Sequence, residues 1–262
     1  MKSIKTTLII TTYNWPEALE LVLISLKKQT LQPNEVIIAD DGSNHKTKDL
    51  IDKYKNILPT QIHHEWHEDN GFMKSIILNK AISKSTSEYL IQIDGDCFLH
   101  PNFIEDHVNN IKKDLYLFGT RVRVKKELAT KLNKNTSISF FRKGLKKRMR
   151  NIRIPFAAKL YSKTQSISPK FRGCNMSYWK KDFLLINGYD EDINGWGRED
   201  SEFAIRLHNN NINGKRLKFS GIVYHLDHKE ESKNNFIIND IRQNNTIKNK
   251  VLRCLNGVDK YL

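Results

Sequence analysis

The chain has 262 residues, 39% of them hydrophobic, and a formal net charge of +15, enough material for one sizeable α/β domain with its own core. No run approaches the roughly 18 uninterrupted apolar residues of a membrane span, and the first residues hold too short an apolar stretch for a signal peptide. Three scattered cysteines, Cys97, Cys174 and Cys254, fit neither a disulfide framework nor metal-ligand spacing, so the sequence predicts a reducing, cytoplasmic setting for a soluble or membrane-peripheral protein.

Read from the amino terminus, apolar β-type runs alternate with helical patterns, as a parallel sheet with crossover helices requires. Strands are predicted over 7–12, 35–39, 60–64 and 89–93. Amphipathic helices lie between them, one over 16–28 that opens on Pro16, and one over 73–83 with Ile76, Ile77 and Lys80 at helical spacing. The second half is less regular. It offers a basic helical stretch at 141–156, a strand at 174–178, a helix at 199–208, a short strand at 221–224 and a polar helical pattern at 236–255, with no repeat and no linker.

Ligands of open α/β sheets bind beyond the carboxyl ends of the strands, so apolar strands that end abruptly in polar residues mark candidate sites. Three do: Thr11-Thr12-Tyr13-Asn14, Asp40-Asp41-Gly42-Ser43 and Asp94-Gly95-Asp96. Each alone is also the composition of an ordinary turn, but three on one sheet edge make a site. In the last, two carboxylates one residue apart suit a hard cation such as Mg²⁺ or Mn²⁺, which would neutralise a departing nucleotide diphosphate; the competing reading is a capped turn before Pro101.

Further along, Gly195-Trp196-Gly197-Arg198-Glu199-Asp200 sets a tryptophan between glycines just before two acids at a helix start. The acids can complement the helix dipole, or one can act as a general base beside a sugar stacked on the indole. His225 and His228 close the strand at 221–224, either as surface residues or as completion of a metal site.

Taken together, these motifs resemble the inverting glycosyltransferases of family 2, especially the branch related to chondroitin polymerases and β-1,4-galactosyltransferases. The in-order set TTYN, DDGS, DNGF, DGDC, RGCNMS, NGYDED, GWGREDSE and YHLDH carries the likeness, over residues 6–107 and 171–228. It implies a GT-A fold: an α/β, Rossmann-like, mixed but mainly parallel sheet flanked by helices, with a basic helical excursion and a C-terminal helix. One domain would span 1–262, with a nucleotide-sugar half at 1–110 and an acceptor half at 111–262.

Carried over by position, the resemblance implies that Thr11, Tyr13 and Asp41 cradle the uracil and ribose, with Asn14 and Asp40 beside them. Asn70, Gly71 and Lys74 would lie near the donor, where relatives often turn a basic residue to the diphosphate. Asp96 is the implied metal ligand, with Asp94 and Gly95 next to it, and His225 matches the metal histidine. Gly173, Cys174 and Asn175 would form a wall of the donor-sugar pocket. Asp200 occupies the catalytic-base position, with Glu199, Trp196 and Gly197 meeting acceptor or donor sugar. Ile222 stands where galactosyltransferases place a methionine three residues before the metal histidine, so no thioether joins the metal.

The implied reaction is a single displacement with inversion. It would be Mn²⁺- or Mg²⁺-dependent and would move galactose, N-acetylgalactosamine, N-acetylglucosamine or glucose from its UDP derivative to a hydroxyl of a bacterial surface glycan or lipid-linked saccharide.

The charge is strongly localised. Of 44 Lys and Arg, 15 fall within residues 128–181, a segment without a single acid. Inside it, Phe141, Leu145, Met149, Ile152 and Phe156 recur at helical spacing among lysines and arginines, which predicts a basic amphipathic helix that packs on the domain, meets an acidic acceptor or binds an anionic membrane surface. A nucleic-acid-binding protein is the rival reading of the charge, but its concentration in one segment and the carboxylate-rich sheet edge argue against nucleic acid. A sugar-phosphate nucleotidyltransferase would need a Gly-rich phosphate loop where this chain has TTYN.

Overall fold

The computed structural model of the chain describes residues 4–129, 132, 138, 142–158, 160, 163, 164, 168, 170–228 and 234–262. In chain order the first half runs β1 (Thr6–Thr12), α1 (Pro16–Lys27), β2 (Glu35–Asp40), α2 (His45–Lys55), β3 (Ile62–Trp66), α3 (Lys74–Ser83), β4 (Tyr89–Asp94), β5 (Cys97–Leu99) and α4 (Phe103–Val108). Then come β6 (Leu115–Phe118), β7 (Thr120–Val124), α5 (Lys126–Ala129), β8 (Leu145–Lys146), α6 (Pro155–Ala158), β9 (Lys163–Thr164) and β10 (Asn175–Trp179). The chain finishes with α7 (Lys180–Leu185), α8 (Glu199–Asn209), β11 (Asn213–Arg216), β12 (Ile222–Leu226) and α9 (Phe236–Lys248).

The main sheet has the order β3-β2-β1-β4-β10-β6-β11-β9, and a smaller one the order β5-β12-β7-β8. Strands β3, β2, β1 and β4 are parallel neighbours, whereas β10 enters antiparallel to both β4 and β6. Period-two alternation feeds two apolar layers. Leu8, Ile10, Val36, Ile38, Ile91 and Ile93 pack with α1, α2 and the small sheet, while Ile9, Ile37, Ala39 and Leu90 pack with α3, α7 and α8. Pro16 opens α1, and Ala18, Leu19, Val22, Leu23 and Leu26 form its buried stripe. This is the expected α/β, GT-A arrangement. Among the described residues no helix is long and apolar enough to cross a membrane.

Most predicted elements shift by a residue or two at their ends; the third strand moves from 60–64 to Ile62–Trp66. The basic helix at 141–156 is a larger correction. Phe141 lies outside the described residues, and the rest is the short strand β8, a 3₁₀ turn over Arg148–Asn151 and the start of α6. Gly144 and Lys147 both adopt left-handed backbone (φ 94° and 59°), which breaks a right-handed helix, and Leu145 instead pairs with Val124. Pro155 sits at the start of a helix rather than within one. No continuous apolar stripe results: Met149 and Phe156 are exposed, while Leu145 is buried. The C-terminal helix stops at Lys248 instead of 255, because Lys250 turns left-handed (φ 46°) and the Val251 N–H folds back onto the Thr246 carbonyl.

Candidate active site

Because β10 runs against β4, its beginning lies beside the end of β4, on the sheet edge where β1 and β2 also end; Asn175 stands opposite Ile93, one residue before the Asp94-Gly95-Asp96 turn. A cavity of about 810 Å³ opens on this edge. Of the residues singled out in the sequence, Thr11, Tyr13, Asp41, Gly71, Lys74, Asp94, Gly95 and Asp96 line it from the first half. Gly173, Cys174, Trp196, Gly197, Glu199, Asp200 and His225 line it from the second.

The acidic wall is built around one lysine. Lys74, at the start of α3, donates to Asp94 (2.8 Å), which also accepts from the Thr11 hydroxyl (2.9 Å). Burial works against the Lys74 charge, but Asp94, Asp200 and Glu199 outweigh it and hold its pKa well above the ordinary value. The lysine is thus already committed to this carboxylate cluster.

Asp200 lies in the first turn of α8. Its Oδ2 accepts the Gly173 N–H (2.9 Å), whereas its buried Oδ1 has no hydrogen-bond partner. Burial, only partly offset by Lys74, together with Asp94, raises its pKa above the usual carboxylate range. A Cβ on residue 173 would stand 1.9 Å from Asp200 Oδ1, so glycine is what permits this approach. Beside it, Glu199 accepts the Gly197 N–H (3.1 Å), and burial followed by repulsion from Asp200 pushes its pKa up to about 7.

The other wall carries a second cluster. Asp96, His225 and His228 place their ligand-type atoms within 4.8 Å of one another, the two imidazole Nε2 atoms lying 3.3 and 3.0 Å from Asp96 Oδ2. Antiparallel pairing of β12 with β5 sets His225 opposite Cys97, the residue after Asp96. Burial opposes the Asp96 charge, yet His228 and His225 outweigh it and keep its pKa below the ordinary value. Burial also lowers the pKa of His225, against the pull of Asp96. One carboxylate and two imidazoles form a donor set that fits a divalent ion such as Mn²⁺. Asp94, counted with the metal in the sequence reading, faces Lys74 and Thr11 and is not part of this group; His228 is.

Four expected donor residues stand apart from the cavity wall. Asp40 is fully buried and holds the Ser43 N–H and His64. Asn14 accepts the Asn44 N–H in the turn after β1, and Asn70 donates to the Glu68 carbonyl. Asn175 is buried, donating to the Thr120 and Gly221 carbonyls with His107 3.1 Å from its Oδ1. Asp41 does line the cavity, gripped by His67 (2.7 Å) and the Met73 N–H (2.9 Å), and Tyr13 donates to Asp69 across the mouth.

Trp196 is half-buried and stacks on Phe236 of α9 (centroids 6.2 Å apart), with the Arg198 guanidinium over the same phenyl ring at 4.6 Å. The loop turns through left-handed backbone at Gly195, Gly197 and Arg198, which brings the indole to the cavity. Phe236 was missed in the sequence. So were Arg121, Arg123 and Arg172, which also line the cavity. The alternation Thr120-Arg121-Val122-Arg123-Val124 held a usable signal, since it turns both arginines to the face opposite the buried valines.

The sequence matches glycosyl transferase family 2 over residues 7–177 and the N-terminal domain of galactosyltransferase over 153–229. The chain belongs to glycosyl transferase family 2, a family of transferases. It is 27% identical to the hyaluronan synthase of Pasteurella multocida over 77% of this chain and 22% of that one. It is also 27% identical to the validoxylamine A glucosyltransferase of Streptomyces hygroscopicus subsp. limoneus, over 79% of this chain and 48% of that one. The chain therefore spans less than half the length of either relative. Among solved structures, S. aureus TarS 1–349 in complex with UDP superposes with a TM-score of 0.65 at 18% identity, covering 98% of this chain and 68% of that one. The mannosyltransferase PcManGT from Pyrobaculum calidifontis, in complex with GDP-Man and Mn²⁺, superposes at 0.59 and 16% identity, covering 86% and 57%. Both likenesses speak for the fold.

Proposed function

We propose that this chain is an inverting, metal-dependent transferase that moves a sugar from a UDP-sugar to a hydroxyl of a bacterial glycan or lipid-linked saccharide. The observation that carries the reading is Asp200: a buried carboxylate with one oxygen fixed by the Gly173 N–H and the other without a partner, set in the wall of a large cavity. A carboxylate in a cavity wall whose lone pairs the fold leaves partly unused can take a proton from a hydroxyl bound beside it.

In the proposed step the acceptor hydroxyl attacks C1 of the donor sugar while Asp200 takes its proton, and the bond from C1 to the nucleotide oxygen breaks on the opposite face. A carboxylate suffices as base when proton transfer lags behind an oxocarbenium-like centre, and its raised pKa improves the match. Asp96, His225 and His228 would hold the divalent ion, which supplies neutralisation of charge on the diphosphate. Thr11, Tyr13 and Asp41 form the nucleoside side, and Trp196 offers a face for a sugar ring. A cytoplasmic location, with the chain soluble or peripheral at the membrane, accords with UDP-sugar use.

The test is UDP release from UDP-galactose, UDP-N-acetylgalactosamine, UDP-N-acetylglucosamine and UDP-glucose, with Mn²⁺ and with chelator. Metal-dependent release from one of them is expected. Absence of both release and metal-dependent UDP binding would overturn the reading.

A further inference from the structure

A second, smaller cavity of about 140 Å³ lies beside the first and is lined by Arg121, Lys147, Arg150, Lys170, Arg172 and Arg216, with no acidic residue among the described lining. Arg121 and Arg172 line both cavities and join them; the other four cations face only the small one. Their mutual repulsion is visible at Lys147, whose pKa is lowered chiefly by Arg150, and further by Arg121, Arg123 and Arg172. Lys147 is exposed to solvent, so the positive potential reaches the cavity mouth. Arg150 is fixed there by donating to the Arg121 carbonyl (3.2 Å).

We infer that this cavity is a subsite for a phosphate group carried by the sugar acceptor, next to the hydroxyl that receives the sugar. The inference rests on the transferase reading above and adds the chemical class of its acceptor. A single carboxylate is matched by one bidentate arginine, whereas four guanidiniums and two ammoniums around one small space call for a compact anion with several acceptor oxygens and more than one charge. Topology sets the subsite on the acceptor side. The nucleoside motifs end β1 and β2, while this cavity sits at the ends of β6 and β11, with β4 and β10 between them in the sheet order. Arg172 directly precedes Gly173, whose N–H fixes the Asp200 carboxylate. A phosphate held by Arg172 and its neighbours therefore anchors an acceptor within reach of the base, leaving the Asp96 side to the donor.

The experiment uses the full chain saturated with UDP and Mn²⁺, so that the donor site is filled, and titrates inorganic phosphate, acetate and glycerol 1-phosphate by calorimetry. Both phosphates are expected to bind without displacing UDP, and acetate at least tenfold more weakly. Lys147→Asn combined with Lys170→Ala, two exposed positions where asparagine tolerates the left-handed backbone of residue 147, is expected to weaken phosphate at least tenfold with UDP affinity unchanged. Competition between phosphate and UDP would assign the cavity to the donor and overturn the inference. It would equally fall if the double variant bound phosphate normally, or if inorganic phosphate bound but glycerol 1-phosphate did not. Loss of UDP binding with phosphate binding retained would break the donor reading alone.

Discussion

Helix α8 carries buried carboxylates in successive parts of its first two turns, and their surroundings differ sharply. Glu202 is saturated: Arg206 reaches it with Nε and Nη2, each at 2.7 Å, and the Thr246 hydroxyl adds a third donor at 3.1 Å. Arg206 is itself fully buried and spends Nη1 on the Ile186 and Gly188 carbonyls. Glu199 and Asp200, a few residues earlier, have one backbone donor each and share a lysine with Asp94. The difference separates a carboxylate that anchors the fold from carboxylates held short of partners at some cost to stability. Sites that must act on a substrate hold groups of the second kind.

The sharpest way to break this contrast is to remove the charge of Asp200 while keeping its shape. Asp200→Asn is expected to lower the transfer rate by about 10²–10⁴-fold, the usual worth of a general base, with metal-dependent UDP binding unchanged; near-normal turnover would show that another group takes the proton. Because its pKa is raised, the activity of the parent chain should fall with acidity at a pH above the ordinary carboxylate value, as protonation removes the base.

The saturated pair gives the next effect. Glu202→Gln leaves Arg206 buried without its counter-charge and should cost about 3–5 kcal/mol, read as a lower urea midpoint at constant slope. An unchanged midpoint would mean that the carbonyl contacts alone satisfy the guanidinium.

The smallest effect has the opposite sign. In the folded chain Glu199 titrates near 7, above its unfolded value near 4.5, so its ionisation destabilises the fold as pH climbs between those values, and the penalty is complete above 7. Glu199→Gln should therefore stabilise the protein at pH 8 by up to about 3 kcal/mol, with the gain vanishing below pH 4.5. Denaturant melts at both pH values check it, and a gain present equally at low pH would refute the assignment.

How much of this was legible in the sequence depended on how local the determinants are. Strands β1, β2 and β4 announce themselves by apolar runs that stop at TTYN, DDGS and DGD, and those stops do reach one edge because parallel neighbours end together. The Asp96–His225 pairing is a long-range event, carried by β5 against β12, and only the motif set suggested it. The sequence offers both His225 and His228 for a metal site and the fold brings both to Asp96, whereas Phe236 needed the fold, since nothing nearby in sequence shows that it supports Trp196. The basic segment misled because helical spacing of Leu145, Met149, Ile152 and Phe156 outweighed the local chemistry of Gly144 and Pro155. The residues that fixed its real shape were a glycine contact with Leu128 and a two-residue pairing with β7.

The reversed strand β10 has a consequence for how the molecule comes together. Strands β1, β2 and β3 pair with neighbours a short loop and a helix away, whereas β4 must find β1 from far along the chain, with Leu8 meeting Ile91, and β10 must then find β4, with Ser177 meeting Ile91. Closing so long a loop is an entropic cost that delays the contact. The Gly173 contact with Asp200 exists only after that meeting, so under the proposed function a half-assembled chain has the polar ends of β1 and β2 in place while its base is not yet oriented.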